Sequence, residues 1–416
     1  MSTIQKIKGV ADMFPPESTT FAHLEETARR VFGRYGYQEV RLPIMEQTPL
    51  FARSIGEETD VVQKEMYTFP DRKGRSLTLR PEATAGMMRA YIENKLYSPG
   101  SVHKLFTFGP MFRYERPQKG RLRQFHQLDV EMIGPTEPQA DAELVLMLST
   151  YLRDLGMRQL TFEINSLGCR ECRPNHRAAL DAFFKNLEGF DQLCDDCKRR
   201  AKTNPLRVLD CKVERCRELS KNAPSIEDHL CQVCATSYTE IQAILSEAGV
   251  EYVKNDRLVR GLDYYVGLTF EVTSTDIGAQ TAVAGGGRYD GLIKQLGGAD
   301  VAATGFAIGM ERLALLVAGK GAPVPDFFIA VLDESAPSQA LALAQELRQA
   351  GLTGETGFAS GSMKSRMRAA NKSGARHCLI LGGSEIADGT VTVREMHSGE
   401  QVTMPRIEAL ALLKKA

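Results

Sequence analysis

The sequence lacks several features that would narrow its role at once. It has no net charge, since Lys plus Arg and Asp plus Glu each total 52 in 416 residues. That balance argues against a generally basic coat for polyanions and leaves room for basic patches. No apolar run approaches the roughly 20 residues that a membrane-spanning helix needs. The opening stretch MSTIQKIKGVADMF has no apolar core of a signal peptide, so a cytoplasmic protein with no membrane partner is expected. Internal repeats and low-complexity tracts are absent as well. What remains is an ordinary globular composition, 43% hydrophobic and 25% charged. At about 150 residues per domain, the length suits two or three domains.

Cysteine breaks that plainness. Eight of the nine lie between Cys169 and Cys234, as CREC, CDDC, CKVERC and CQVC. The pairs are Cys169 with Cys172, Cys194 with Cys197, Cys211 with Cys216, and Cys231 with Cys234. Disulfides do not persist in a reducing compartment, so the group needs another explanation. Two tetrahedral four-thiolate Zn²⁺ sites would use all eight. The competing reading is a set of reduced or half-buried thiols left from an ancestral site. His176 and His229 lie nearby as alternative ligands, although lone histidines are more often structural. Cys378, in the apolar run HCLIL, reads as core.

Periodicity organises the rest. An amphipathic helix runs from about Pro16 to Tyr35, with Phe21, Leu24, Ala28, Val31 and Phe32 at helical spacing. GYQEVRLPIME reads as a strand stopped by Pro43, and LTLRPEATAGMMRAYIEN as a strand breaking into a helix near Glu82 to Ala85. A helix from about Gln139 to Leu155 leads into the strand LTFEINSLG. From Cys169 to Tyr238 the chain becomes cysteine-rich, charged and helical in short pieces, as an insertion would. Strands resume in RGLDYYVGLTFEVTS and AVAGGGRYDGL, and TGFAIGMERLALLVAG is a strand running into a helix. AGKGAPVPD is a linker. Beyond it, FFIAVL, a helix from Ser338 to Ala350, a second helical segment, HCLILG, TVTVRE, QVTMP and a helix over Ile407 to Leu413 follow. This order suggests a separate α/β domain. The expected domains are 1–322, interrupted by an insertion at 169–238, and 326–416.

One stretch, FRYERPQKGRLRQFHQLDVE, is unlike an ordinary hairpin. Arg113 and Glu115 alternate with Phe112 and Tyr114 on the way in. On the way out Phe125, Gln127, Asp129 and Glu131 share one side, and His126, Leu128 and Val130 the other. Between them PQKGRLR carries Lys119, Arg121 and Arg123. A half-buried hairpin normally has one apolar and one indifferent face. Ordered rows of both charge signs beside an aromatic ring suit a binding floor for a polar ligand; cross-strand ion pairs are the plainer alternative. Three other places add to it. GFAIGMERL puts Arg312 in the first turn of a helix, where a cation opposes the helix dipole by roughly 0.3–1 kcal/mol. A bound anion there would account for it. RGLDYY sets Arg260 beside a tyrosine pair on a strand, and GGGRYDGL offers three glycines for close backbone approach. In MKSRMRAANKSGAR, Lys364, Arg368 and Lys372 repeat at i, i+4 and i+8 with Arg366 and Arg376 beside them and no acid between. Like charges on one helix face repel, so an RNA backbone explains the row better than stability does.

Together and in this order, these stretches resemble the class II aminoacyl-tRNA synthetases, and among them the histidyl-tRNA synthetase family. GYQEVRLPIME resembles the first class motif, which lies at the family's dimer interface. FRYERPQKGRLRQFHQLDVE resembles the second and GFAIGMERL the third, while RGLDYYVG and GGGRYDGL are similar to the two histidine-specific signatures. The resemblance covers essentially the whole chain. It implies an α+β fold: an antiparallel-sheet catalytic domain, an inserted small helical cysteine-rich domain, and a C-terminal α/β anticodon-binding domain. It implies ATP-dependent ligation of L-histidine to tRNA(His) through a histidyl-adenylate, with Mg²⁺ accompanying ATP, in a homodimer.

The resemblance also carries roles onto particular residues. Arg113 binds the α-phosphate and the substrate carboxylate, and Arg260 joins it as the second catalytic cation. Phe125 stacks on the adenine with Arg312 on its other side. Arg121 or Arg123 reaches the γ-phosphate, with Arg121 favoured. Glu82, Ala83 and Thr84 form the amino-acid turn, and Glu82 holds the α-ammonium. Gln127, Glu131, Arg260, Tyr264 and Tyr265 complete the histidine site. Arg116 and Gln118 meet the acceptor end of the tRNA, and the insertion touches the acceptor arm. The alternative is a histidine-binding regulatory subunit that charges no tRNA. Such proteins lose parts of the catalytic motifs and the anticodon domain, and this chain retains them.

Overall fold

The structure is a computed structural model that describes residues 3–57, 59–261, 264–277, 282–317, 324–332, 336–357 and 362–415. Of the expected linker, 318–323 lie outside the described residues. The chain forms two units, Met1–Lys320 and Gly321–Ala416.

The first unit holds strands β1 (Gln38–Glu39), β2 (Met45–Gln47), β3 (Tyr67–Pro70), β4 (Ser76–Leu79), β5 (His103–Phe112), β6 (Gln124–Gly134), β7 (Thr161–Ser166), β8 (Tyr252–Lys254), β9 (Val266–Thr273), β10 (Ala282–Arg288) and β11 (Ala302–Gly309). Its helices are α1 (Glu17–Arg34), α2 (Thr48–Ile55), α3 (Thr84–Glu93), α4 (Pro138–Asp154), α5 (Cys172–Lys185), α6 (Asp195–Thr203), α7 (Leu206–Leu209), α8 (Glu214–Leu219), α9 (Gln232–Glu247), α10 (Leu292–Gln295) and α11 (Met310–Val317).

Eight strands form one sheet in the order β1-β5-β6-β11-β10-β9-β7-β8. Its six inner strands pair antiparallel, and only the outermost pairs, β1 with β5 and β7 with β8, are parallel. Leu24, Ala28, Val31 and Phe32 of α1 are buried with Leu144, Leu148 and Tyr151 of α4 in the core that also takes Leu128 and Val130 of β6. The helical spacing of those apolar residues dictates this, because one stripe of each helix has only the sheet to cover it. Strands β2, β4 and β3 make a separate small sheet.

Three local expectations are corrected. The strand expected to run to Pro43 in GYQEVRLPIME stops at Glu39, and the chain enters a strand again only at Met45, as β2. The hairpin strands stop at Phe112 and restart at Gln124, so Arg113 and Glu115 stand in the loop. Arg113 N–H still reaches Arg123 O at 2.9 Å, but the next donor, Tyr114 N–H, goes to Glu65 O at 2.7 Å and draws the chain out of the ladder. Arg260 and the tyrosine pair precede β9 rather than lying on a strand, because the Arg260 carbonyl is taken by Arg207 at 3.0 Å instead of by a neighbouring strand.

The cysteine-rich segment enters from β7 and leaves through α9. Leu180, Phe184, Val208 and Leu209 join Cys197, Cys211 and Cys216 in a small core of their own. A boundary at 238 falls inside α9, whose Tyr238, Ile241 and Leu245 are buried in the main core.

The second unit contains β12 (Phe327–Val331), α12 (Pro337–Gln349), β13 (Gly354–Thr356), α13 (Met363–Ser373), β14 (His377–Leu381), α14 (Gly383–Asp388), β15 (Thr390–Glu395), β16 (Gln401–Pro405) and α15 (Arg406–Lys415). Its sheet runs β13-β12-β14-β15-β16, parallel across the first three strands and antiparallel beyond. Cys378 is fully buried there, as its apolar run requires.

Candidate active site

Strand β6 is the floor of a cleft of about 410 Å³. Because alternate strand residues share a face, Phe125, Gln127, Asp129 and Glu131 all line it, while Leu128 and Val130 are buried in the core behind. Of the expected residues, Glu82, Thr84, Arg113, Arg121, Arg260, Tyr264, Tyr265 and Arg312 also line the cleft. Ala83 is buried at the start of α3, and Arg116 and Gln118 are exposed on the loop. Arg123 turns away, with its Cζ 4.0 Å from the centre of the Tyr114 ring and its Nε donating to Glu115 O. The loop therefore offers Arg121 to the cleft, where it pairs with Glu115.

One end of the cleft is acidic and aromatic. Glu131 lies opposite Gly305 in the β6–β11 register, and a Cβ at Gly305 would collide with its carboxylate. Thr84 Oγ1 donates to Glu131 Oε1 at 2.7 Å, and the Tyr289 hydroxyl donates to Oε2. The Tyr264 ring lies 4.8 Å from that of Tyr265 and 5.5 Å from that of Tyr289. Glu82 caps α3 by accepting the Ala85 N–H at 3.1 Å. Gln127 Oε1 and Asp129 Oδ2 are buried with no hydrogen-bond partner among the described residues. Unpaired buried acceptors are costly, so this end is built to receive donors such as an ammonium group.

The other end is cationic. Arg113 Nε donates to Pro81 O at 2.9 Å, and its Cζ lies 5.3 Å from the Phe125 ring centre. Arg312 Nε donates to Gly120 O at 3.1 Å and Nη1 to Ala282 O at 2.8 Å, tying the loop to β10. Arg260 stands between the two ends, with its Cζ 6.0 Å from the centre of the Tyr265 ring; it pairs with Glu271 at 2.6 Å and lies across Gly285, where any Cβ would meet its guanidinium. Glu311, beside Arg312, accepts the His126 N–H at 2.9 Å and so locks the start of β6 to α11.

Sequence reasoning missed four of these residues: Tyr289, Asp129, Glu271 and Glu311. Tyr289 stood within GGGRYDGL, and Asp129 stood on the row of polar residues already singled out.

Burial raises the carboxyl pKa of Glu82 and, well above the usual range, that of Glu131. Asp129 is pushed up to about 8, first by burial and then by the neighbouring Glu82. Its folded value thus exceeds its unfolded value of about 3.9. The stability that it contributes is therefore full in acid and is lost as the pH rises through about 8. At about pH 7 the free cleft holds a proton that an incoming ammonium should expel. Calorimetric titration of an amino acid that binds the cleft, in two buffers of different ionisation enthalpy, is expected to report net proton release, with affinity increasing as the pH approaches about 8. Equal heats in both buffers would contradict this electrostatic account.

The eight insertion thiols gather into two groups, Cys169, Cys172, Cys231 and Cys234, and Cys194, Cys197, Cys211 and Cys216. Within each, all sulfurs lie within 4.8 Å of one another. The Cys169–Cys172 and Cys194–Cys211 separations are 3.6 Å and 4.0 Å, close to the ~3.8 Å that four thiolates at about 2.3 Å from one Zn²⁺ would show. Backbone N–H groups point at the sulfurs, from Cys231 to Cys172 at 3.1 Å and from Cys194 to Cys216 at 3.2 Å, which offsets part of what burial costs a thiolate there. The donor set fits a tetrahedral soft-metal site. His176 and His229 are not part of it: the His176 Nε2 meets Pro224 O at 2.8 Å and the two rings stack on each other.

Comparison with known proteins gives a concordant answer. Residues 9–313 match the histidyl-tRNA synthetase family model, and residues 326–416 match the anticodon-binding domain model. The histidine–tRNA ligase of Nitratidesulfovibrio vulgaris is 63% identical over 416 residues, covering all of both chains. That of Geobacter sulfurreducens is 50% identical over 403 residues, 97% of each chain. The apo histidyl-tRNA synthetase crystal structure from S. aureus superposes with a TM-score of 0.80 at 33% identity, covering 99% of this chain and 100% of that one. The chain belongs to the histidyl-tRNA synthetase family, within the class II aminoacyl-tRNA synthetases.

Proposed function

We propose that the cleft activates L-histidine with ATP and passes the histidyl group to tRNA(His), the chain acting as a histidine–tRNA ligase. The observation that carries this reading is the polarity of one continuous cleft, with cations around Phe125 and buried acids and tyrosines around Glu131. The acidic end suits the ammonium and imidazole of histidine. Glu82, Gln127 and Asp129 offer acceptors to the ammonium, while Glu131 and the tyrosine hydroxyls offer an acceptor and donors to the ring. Such a site leaves its own polar groups unpaired when another amino acid enters, which is strong discrimination.

The histidine carboxylate is ionised at neutral pH, so its attack on the α-phosphorus of ATP needs no general base. Catalysis then consists of alignment and charge neutralisation. Arg113 and Arg260 neutralise the α-phosphate. Arg121 and Arg312 attend the departing pyrophosphate, with Phe125 under the adenine. ATP is taken as its Mg²⁺ complex, which supplies further neutralisation there. In the second step the terminal ribose hydroxyl of the tRNA attacks the acyl carbonyl, with Arg116 and Gln118 meeting the acceptor end. The two thiol groups hold structural Zn²⁺, which supplies fold stability and no reaction step. A cytoplasmic homodimer joined through the first class motif completes the reading; the exposure of Ile44 and Met45 in that segment supports it.

The direct test is charging of a tRNA(His) transcript with labelled histidine; no charged product would reject the reading. In the C-terminal unit, Lys364, Arg368 and Lys372 are all exposed on α13. Changing the three to glutamate is expected to lower kcat/KM for tRNA by about a hundredfold at low salt, with a shallower salt dependence. Histidine-dependent pyrophosphate exchange should be unchanged. Equal loss in both assays would mean that the row serves stability rather than RNA.

A further inference from the structure

The second thiol group, Cys194, Cys197, Cys211 and Cys216, lies in the part of the insertion that touches the catalytic cleft. Helix α7 and the turn after it connect the two. Cys211 N–H bonds to Val208 O at 3.2 Å, so the residue that carries the thiol also closes the end of α7. The residues on either side of it, Asp210 and Lys212, line the cleft. From α7 itself, Arg207 Nη1 donates to the carbonyl of Arg260 at 3.0 Å.

A second path runs through Arg257. Ser220 follows α8, which carries Cys216, and both its N–H (3.0 Å) and its hydroxyl (2.7 Å) bond to Cys216 O. Arg257 Nη1 donates to Ser220 O at 2.7 Å, and Nη2 donates to Ser220 Oγ at 2.7 Å and to Leu209 O at 3.3 Å. Residues 257–260 belong to no strand. They are gripped from one side by Asn165 of β7, which donates to Leu258 O at 3.1 Å, and from the other by Arg207 and Arg257. The Arg260 side chain cannot adjust freely, since it lies between Glu271 and Gly285.

From this geometry we infer that a metal ion held by Cys194, Cys197, Cys211 and Cys216 positions the catalytic Arg260, through Arg207 and Arg257. The inference rests on the proposed role of Arg260 and of the cleft. Helices α7 and α8 hold only four and six residues, and helices so short have little stability of their own, so a cross-link between them narrows the positions that they can take. The other thiol group closes the base of the insertion, with Cys169 following β7 and Cys231 capping α9, and it reaches the cleft at a different point: Arg173, beside Cys172, donates to the carbonyl of Tyr265.

The test uses the full-length, metal-loaded chain and four variants: Arg207→Ala, Arg257→Ala, Cys211→Ser and Cys169→Ser. Metal content, thermal midpoint, and kcat and KM for histidine-dependent pyrophosphate exchange are measured for each. The two arginine variants are expected to retain the native metal content and to lose about a hundredfold in kcat, the cost of a small misplacement of a catalytic group. Arg207→Lys and Arg257→Lys should recover part of the loss, as should added guanidinium with the alanine variants. Cys211→Ser and Cys169→Ser should each lose one of two bound metal ions, with a comparable fall in kcat only for Cys211→Ser and, for Cys169→Ser, a rise confined to KM for histidine, since that group reaches the cleft at Tyr265. Arginine variants with native kcat, equal kcat in the two cysteine variants, or a native chain that binds no metal would each overturn the inference. A native chain with no histidine-dependent exchange would instead count against the reading of the cleft.

Discussion

Replacement of Arg113 by alanine is expected to lower kcat for histidine-dependent pyrophosphate exchange by about a thousandfold, the cost of removing one well-placed donor to developing charge. The prediction follows from how the side chain is used. Among the described residues only its Nε has a hydrogen-bond partner, Pro81 O at 2.9 Å, which aims the guanidinium at the cleft beside Phe125. KM for histidine should change much less than kcat, because the charge that Arg113 meets grows in the transition state. Arg113→Lys should recover little, since an ammonium cannot reproduce the two-pronged geometry. The backbone N–H that pairs with Arg123 is untouched by either change, so the thermal midpoint should remain near native. A fall of less than about tenfold would show that Arg113 is not a transition-state ligand.

Glu131→Gln is expected to weaken kcat/KM for histidine by about a hundredfold, with KM for ATP nearly unchanged. Leaving a buried polar group without its partner costs about 1–3 kcal/mol, which sets that scale. Thr84 and Tyr289 both donate to the Glu131 carboxylate. An amide offers one acceptor where the site uses two, so one hydroxyl must rotate and the substrate ring loses its acceptor. Asp129 and Glu82 remain to hold the ammonium, which keeps binding measurable. Equal losses for histidine and ATP would place Glu131 in the fold rather than in the specificity of the site.

Much of this was legible because strands and helices repeat. The two-residue period of a strand put Phe125, Gln127, Asp129 and Glu131 on one face before any coordinates, and the helix period did the same for Lys364, Arg368 and Lys372. Tyr289 was not legible because the β9–β10 register shifts between Gly287 and Arg288, so alternation no longer tells which way the next residue faces. Asp129 was passed over because its unpaired oxygen, and its crowding with other buried acids, exist only once the turn before α3 brings Glu82 against β6. The strand expected at RGLDYY failed for a related reason. Its carbonyl partner is Arg207, which lies 53 residues away on a helix with no sequence signal linking the two. The cysteine spacings announced eight ligands, but only folding sorted them, joining the first pair to the last and the two inner pairs to each other.

The central claim is that one cleft activates histidine and no other amino acid. Pyrophosphate exchange into ATP, measured with each of the common amino acids in turn on protein of known metal content, tests it most directly. Exchange is expected with histidine alone. Exchange driven by a different amino acid, or none at all while histidine still binds, would contradict it.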